Sequence, residues 1–251
     1  ERNIERIIFE KTSSLLESNI IVAKQSSREI TESIKKNISK NKANKYFFNE
    51  DYNFVMKEND FFYYEDKYGG LKIPKPSMKG QFQLENASTA IASLRVLENL
   101  NIKDQHIING VKKAYNSARL EEIKSGKLKN LVRDNTLIVD SSHNPGGSKS
   151  LNEYLQTLNC NKHVIIGMME NKDHEKFISY FKDISSLTVI DIPNQVNAIS
   201  GKKLKEKFKN FVNLSFSENI EQALKDLRLN QNDIVIITGS IYLTGEVLNL
   251  N

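Results

Sequence analysis

Thr136-Leu137-Ile138-Val139-Asp140-Ser141-Ser142-His143-Asn144-Pro145-Gly146-Gly147 is the stretch that decides the fold. It opens on a short run with no polar alternation, reaches a carboxylate at Asp140, and turns through Pro and Gly into helical spacing from Gly146 to Leu158. A strand without polar alternation is buried on both faces, and sheets of that kind are parallel and covered by helices.

Toward the carboxyl end the alternation repeats: strand His163 to Gly167, helix His174 to Lys182, strand Leu187 to Ile192, helix Gly201 to Lys209, strand Val212 to Ser215, helix Asn219 to Leu227 and strand Ile234 to Thr238. Strands and helices in strict succession predict an α/β fold with a doubly wound, Rossmann-like sheet. In such sheets ligands sit beyond the carboxyl ends of the strands. The loops Asp140 to Gly147, Gly167 to Asp173 and Thr238 to Gly245 should therefore gather.

Toward the amino end, Ile4 to Leu16 and Ser26 to Ile38 have helical spacing around a short apolar run, Ile20 to Ala23. From Lys45 to Ile73 aromatic segments, Tyr46-Phe47-Phe48, Phe54-Val55-Met56 and Phe61 to Tyr64, are broken by Asn-Asp, Gly69-Gly70 and Pro74; they predict antiparallel strands. Asn86 to Leu100 and Lys103 to Tyr115 read as amphipathic helices. Asn116 to Asn130 reads as exposed, and within it falls the boundary between a domain of residues 1–117 and one of residues 118–251.

No run approaches the roughly 20 apolar residues of a membrane span, and the charged segment Glu1 to Glu10 is helical in pattern, unlike a secretory leader. One cysteine, Cys160, allows no internal disulfide and suits a reducing compartment. The expectation is a cytoplasmic monomer without membrane contact. The net charge of +5 comes from lysines scattered among acids, a solvated pattern that argues against nucleic-acid binding.

Asp140 and His143 end a buried strand at a turn held on both sides; a carboxylate there suits a ribose or a cation and the imidazole suits phosphate or a reacting carboxylate, unless Asp140 merely caps the next helix. Arg119-Leu120-Glu121 offers a guanidinium for phosphate oxygens, or a solvated surface residue. Lys172-Asp173-His174 is either a site rim or a helix start. Thr238 to Leu243 suits an anion approaching backbone amides, or a tight turn that packs Tyr242 and Leu243 inward. His106, His163 and Cys160 have no partner spacing for a metal or a nucleophile. No G-x-x-x-x-G-K-[ST] phosphate loop occurs.

Taken in order, six segments resemble the second half of the folylpolyglutamate synthase/dihydrofolate synthase family of the Mur ligase superfamily. Phe9-Glu10-Lys11 is similar to the start of E-K-A-G-I, Gly80 to Ala87 to G-x-H-Q-x-x-N-A, and Ala118-Arg119-Leu120-Glu121 to G-R-L-E. Asp140 to Pro145 is similar to D-G-A-H-N-P, Gly167 to Asp173 to a glycine followed by D-K-D, and Thr238 to Val247 to T-G-S-L-Y-L-V-G-E-V. Ser13-Ser14, Phe82, Ala118 and Ser141-Ser142 depart from those patterns.

The resemblance implies that residues 1–117 are the later part of a central ATPase domain and residues 118–251 the carboxy-terminal ligase domain. It implies ATP-driven ligation of L-glutamate to a folate or dihydropteroate carboxylate through an acyl phosphate, with ATP and Mg2+ as cofactors. Lys11 would be the family's carbamylated lysine and a magnesium ligand; Asn86 would touch adenine, Arg119 the phosphates and Asp140 the ribose, with His143 beside the phosphates or the incoming glutamate. The family's phosphate loop and remaining magnesium ligands lie ahead of the position matching Glu1, so a fragment inactive alone is expected. Arg119→Ala and Asp140→Ala are expected to depress turnover and leave folding intact. Alternatives are another Mur-type amino-acid ligase, a noncatalytic nucleotide- or folate-binding module, and a hydrolase holding a metal among Asp140, His143 and Asp173.

Overall fold

The structure, a computed structural model, describes residues 4–15, 18–57, 60–97 and 99–251. The chain divides into two compact units, one of Glu1–Ser77 and Gln81–Tyr115, the other of Met78–Gly80 and Asn116–Asn251. Among the described residues no helix is long and apolar enough to cross a membrane.

In the first unit α1 (Ile4–Thr12) precedes β1 (Ile20–Val22), α2 (Arg28–Ile38) and β2 (Lys45–Phe47). Leu16, the expected end of the first helix, and residues 1–3 lie outside the described residues. Ser27 caps α2 by accepting from the Ile30 amide, and Ile38 packs with Ile20, Val22 and Phe47. β1 and β2 pair in parallel, Ile20 opposite Lys45. This corrects the expectation of antiparallel strands for the first aromatic segment: its partner lies across α2 rather than across a turn, and a crossover leaves no turn signal to read.

The later segments are antiparallel, as expected: β3 (Tyr52–Met56), β4 (Phe61–Asp66) and β5 (Gly69–Pro74) form a meander. Gly69-Gly70 and Pro74, read as breaks, are the two ends of β5. Phe62, Tyr64, Leu71 and Ile73 point inward against Leu84, Ile91 and Ala92 of α3 (Phe82–Arg95) and Ile107 and Val111 of α4 (Asp104–Lys113). The α3 helix begins four residues before the expected Asn86 because Gln83 and Leu84 are buried, and it ends early, leaving Leu97 and Leu100 43% and 56% exposed. Arg95 closes it, donating to Asp66 Oδ1 at 2.9 Å and to the Gly69 carbonyl at 2.8 Å. Burial, reinforced by Asp66, pushes the Tyr64 hydroxyl well above its usual range, so it stays a donor to that carboxylate.

The second unit holds six strands: β6 (Glu121–Ile123), β7 (Thr136–Val139), β8 (Lys162–Ile166), β9 (Ser186–Ile190), β10 (Leu214–Ser217) and β11 (Ile234–Thr238), in the order β10-β9-β8-β11-β7-β6. All pairs are parallel except β6 with β7. The helices are α5 (Lys127–Leu131), α6 (Pro145–Gln156), α7 (His174–Ser179), α8 (Gly201–Lys207), α9 (Ile220–Asp226) and α10 (Ile241–Leu250). The α/β, Rossmann-like fold is as expected.

Asn116 to Asn130 is not the exposed segment expected. Ala118, Leu120, Ile123 and Leu128 are all buried, and β6 and α5 lie within it. A three-residue edge strand and a five-residue helix are too short to carry a period.

At the amino ends of β8 and β11, His163 donates or accepts through Nδ1 with Ser186 Oγ at 2.8 Å and meets Asp233 Oδ2 through Nε2 at 3.2 Å. Burial alone would push the Asp233 carboxyl up, but the Asn230 amide, Asn161 and His163 outweigh it and hold the carboxyl below its usual range. A carboxyl with a depressed folded pKa adds stability that is present above about pH 4 and lost as pH falls through the folded value. The urea midpoint of the second unit is expected to drop from about pH 5 to about pH 3, and Asp233→Asn to flatten that slope; parallel curves for the two proteins would refute the assignment.

Candidate functional site

Because β11 lies between β7 and β8, the loops that follow these three strands emerge side by side, and backbone bonds stitch them. The Asp140 amide donates to the Ile237 carbonyl at 3.0 Å, Gly167 to Thr238 at 3.3 Å, and Gly239 to Ser142 at 2.9 Å. Thr238 Oγ1 also donates to the Ser142 carbonyl, at 3.4 Å. Gly239 has φ +104, and a Cβ on it would stand 2.6 Å from the Gly167 carbonyl oxygen. Glycine is what lets the loops after β8 and β11 touch.

Beyond these strand ends lies an open cavity of about 890 Å3, lined by His143, by Met169 to Lys172, by Val196 to Ala198, by Lys203 and by Ser240 to Tyr242. All three loops expected to gather contribute to it. The segment after β9 and Lys203 of α8 were not anticipated. The same rule about strand ends applies to the polar stretch Asp191 to Ser200, and that was the available signal.

His143 Nδ1 lies 2.9 Å from the Ser141 carbonyl oxygen. A carbonyl only accepts, so Nδ1 carries the proton and Nε2 keeps the lone pair in the neutral ring. Asn144 caps α6 through the Gly147 amide at 2.9 Å, with Pro145 in the first turn. The helix-cap role considered for Asp140 therefore belongs to Asn144.

Asp140 is 1% exposed. Its Oδ2 accepts from the Leu120 amide and its Oδ1 from the Ser142 amide, both at 3.0 Å. Presenting almost no surface, it ties the Arg119 loop to the end of β7. That loop is strained, with φ +55 at Ala118 and +49 at Leu120. The family glycine that Ala118 replaces would take this conformation without a Cβ penalty. Glu121 Oε2 accepts from the Ala118 amide at 2.7 Å and the Ser141 amide donates to the Ala118 carbonyl at 2.8 Å. Arg119 is half-buried between these anchors, with no side-chain partner among the described residues.

Asp173 caps α7, accepting from the Lys176 amide at 3.1 Å. Buried His174 donates to the Met169 carbonyl at 3.0 Å and pins the cavity floor. At the last loop Leu243 packs inward, but Tyr242 stays 50% exposed and Ser240 caps α10. With Asp140 satisfied by amides and Asp173 by a helix end, the hydrolase constellation does not form. Among the described residues no three His, Cys, Asp or Glu side chains gather to hold a metal.

Lys11 and Asn86 belong to the first unit. Lys11 is exposed in the last turn of α1. Asn86 is exposed on α3 and donates to Gln83 Oε1 at 3.1 Å, leaving its own Oδ1 free to accept.

Residues 118–241 match the model of the Mur ligase, glutamate ligase domain. The dihydrofolate synthase/folylpolyglutamate synthase of Haemophilus influenzae is 26% identical over 185 residues, covering 66% of this chain and 42% of the relative. The structure of E. coli FolC in complex with ADP superposes with TM-score 0.80 at 21% identity, covering 98% of this chain and 56% of that one. That of the bifunctional folylpolyglutamate synthase/dihydrofolate synthase of Yersinia pestis, complexed with AMPPNP and Mn ion, also gives 0.80 at 21%, with the same coverage. The chain thus spans about half the length of the relatives it matches. The glutamate ligase domain of the Mur ligases thus matches residues 118–241, and the fold of these synthases extends over both units.

Proposed function

We propose that the complete gene product joins L-glutamate to the carboxylate of a folate or dihydropteroate at the expense of ATP. The observation that carries this reading is His143: its Nδ1 proton is committed to the Ser141 carbonyl, and the residue lines a cavity where the loops of a glutamate ligase domain converge. A carboxylate is a poor electrophile, and ATP supplies the phosphoryl group that turns it into an acyl phosphate. The glutamate amine then attacks the acyl carbon, Nε2 takes the amine's proton, and the bond to the phosphate oxygen breaks to release inorganic phosphate.

Arg119 stabilises phosphate charge from a backbone that Asp140 and Glu121 hold fixed, and Asn86 offers Oδ1 to the amino group of adenine. We assign residues 1–117 to the ATPase part and Lys11 as the candidate for carbamylation. Among the described residues no three His, Cys, Asp or Glu side chains gather into a magnesium site.

The test is ATP-dependent addition of L-glutamate, followed by mass spectrometry of the folate product, in the complete gene product. Arg119→Ala is expected to lower kcat/KM about 100-fold with an unchanged melting temperature. Absence of glutamate-dependent ADP formation in the unaltered protein would defeat the reading, and addition of a different amino acid would transfer it to another Mur-type ligase.

A further inference from the structure

We propose that Ser186, at the amino edge of the second unit's sheet and so at the opposite end of its strands from the cavity, is an activated nucleophile that takes the acyl group of a small ester. The proposal goes beyond the ligase reading and does not depend on it.

Three side chains from three strand ends meet at this edge. Ser186 is the first residue of β9, His163 the second of β8, and Asp233 directly precedes β11; parallel pairing sets His163 opposite Ser186. The imidazole stands between the other two, with Nδ1 2.8 Å from Ser186 Oγ and Nε2 3.2 Å from Asp233 Oδ2. These partners lie 23 and 70 residues from His163 in the chain, so no spacing in the sequence announces them. A hydroxyl within hydrogen-bond reach of a base that a third group orients is the arrangement that turns serine into a nucleophile, and it is known by its geometry rather than by the order of its residues.

The direction of the protons follows from Asp233. Its Oδ1 accepts from Asn161 Nδ2 at 2.8 Å and its Oδ2 from the Asn230 amide at 2.7 Å, bonds that favour the ionised carboxyl. An ionised carboxylate only accepts, so Nε2 carries the ring proton and the Nδ1 lone pair faces the Ser186 hydroxyl, which donates to it. Asp233 and His163 are 2% and 7% exposed, so the ring is held in this orientation. Ser186 is only half-buried, as a residue that meets a ligand from solvent must be.

In the reaction Nδ1 takes the hydroxyl proton as Oγ attacks the carbonyl carbon of the ester. The bond from that carbon to the alcohol oxygen then breaks, the alcohol leaves with the proton, and the acyl group stays on Oγ. Ser185 is the internal comparison. It adjoins Ser186 and is likewise half-buried, but its Oγ accepts from the Lys162 amide at 3.3 Å and meets no imidazole among the described residues.

The experiment is incubation of the complete gene product with para-nitrophenyl acetate, with acetylation of each serine followed by peptide mass spectrometry. Ser186 should be acetylated about 100-fold faster than Ser185, the size of a general-base contribution, and His163→Gln should bring the two rates together. Equal rates at the two serines of the unaltered protein, or no acetyl group on Ser186, overturn the proposal and need no variant to do so. A His163→Gln protein that keeps both its melting temperature and its fast Ser186 overturns it as well.

Discussion

Gly239→Ala is expected to cost the second unit about 4 kcal/mol, a large share of the stability of an ordinary domain. Two independent effects add. At φ +104 the backbone occupies a region that a Cβ-bearing residue adopts only under strain, worth about 1–3 kcal/mol. The added methyl would also lie 2.6 Å from the Gly167 carbonyl oxygen and 2.9 Å from Ile166 Cγ2. Both atoms belong to β8 or its immediate extension, so neither can swing aside, and overpacking of this kind costs about 1–3 kcal/mol more. Urea denaturation followed by circular dichroism measures the sum. A loss under about 1 kcal/mol would show that the contact between the two loops is not obligatory.

Asp140→Ala should be nearly as damaging, contrary to the expectation from sequence that folding would survive it. The carboxylate is 1% exposed and accepts from two backbone amides. Alanine orphans both donors, and each unsatisfied buried amide costs about 1–3 kcal/mol, for a total near 4. Asp140→Asn keeps one acceptor oxygen and sets an amino group against the other amide, so about half the loss is expected. Amide hydrogen exchange would locate the effect at Leu120 and Ser142. Full stability in the alanine variant would mean that these amides find other acceptors and that Asp140 does not position Arg119.

The parallel sheet was legible because each of its central strands is apolar on both faces, a pattern no solvated element carries. Elements without a period of their own were not legible. Glu121–Ile123 is a strand only because β7 offers it an edge, and Ile241–Leu250 followed so closely on a strand that its first residues read as a turn. Lys45–Phe47 has the alternation of a hairpin strand, but its hydrogen bonds go to a segment some 25 residues earlier, as the pairing of Lys45 with Ile20 shows.

The site divides in the same way. Asp140, His143 and the loop glycines could be read from sequence because a strand end fixes where they emerge. That Asp140 faces inward could not, because one of the two amides it serves, that of Leu120, lies 20 residues away in the chain and reaches it only in three dimensions. Lys203 and Glu170 are ordinary surface residues in sequence and come to line one cavity only where the sheet brings α8 near the loop after β8.

The Ser142 carbonyl receives both the Gly239 amide and the Thr238 hydroxyl, while Gly167 and Asp140 lean on the strand between them. With each loop end bolted to a neighbour, no one of them can lift without loosening the rest. The floor of the cavity is consequently a single stiff plate, and adaptation to ligands of different length falls to its freely projecting side chains.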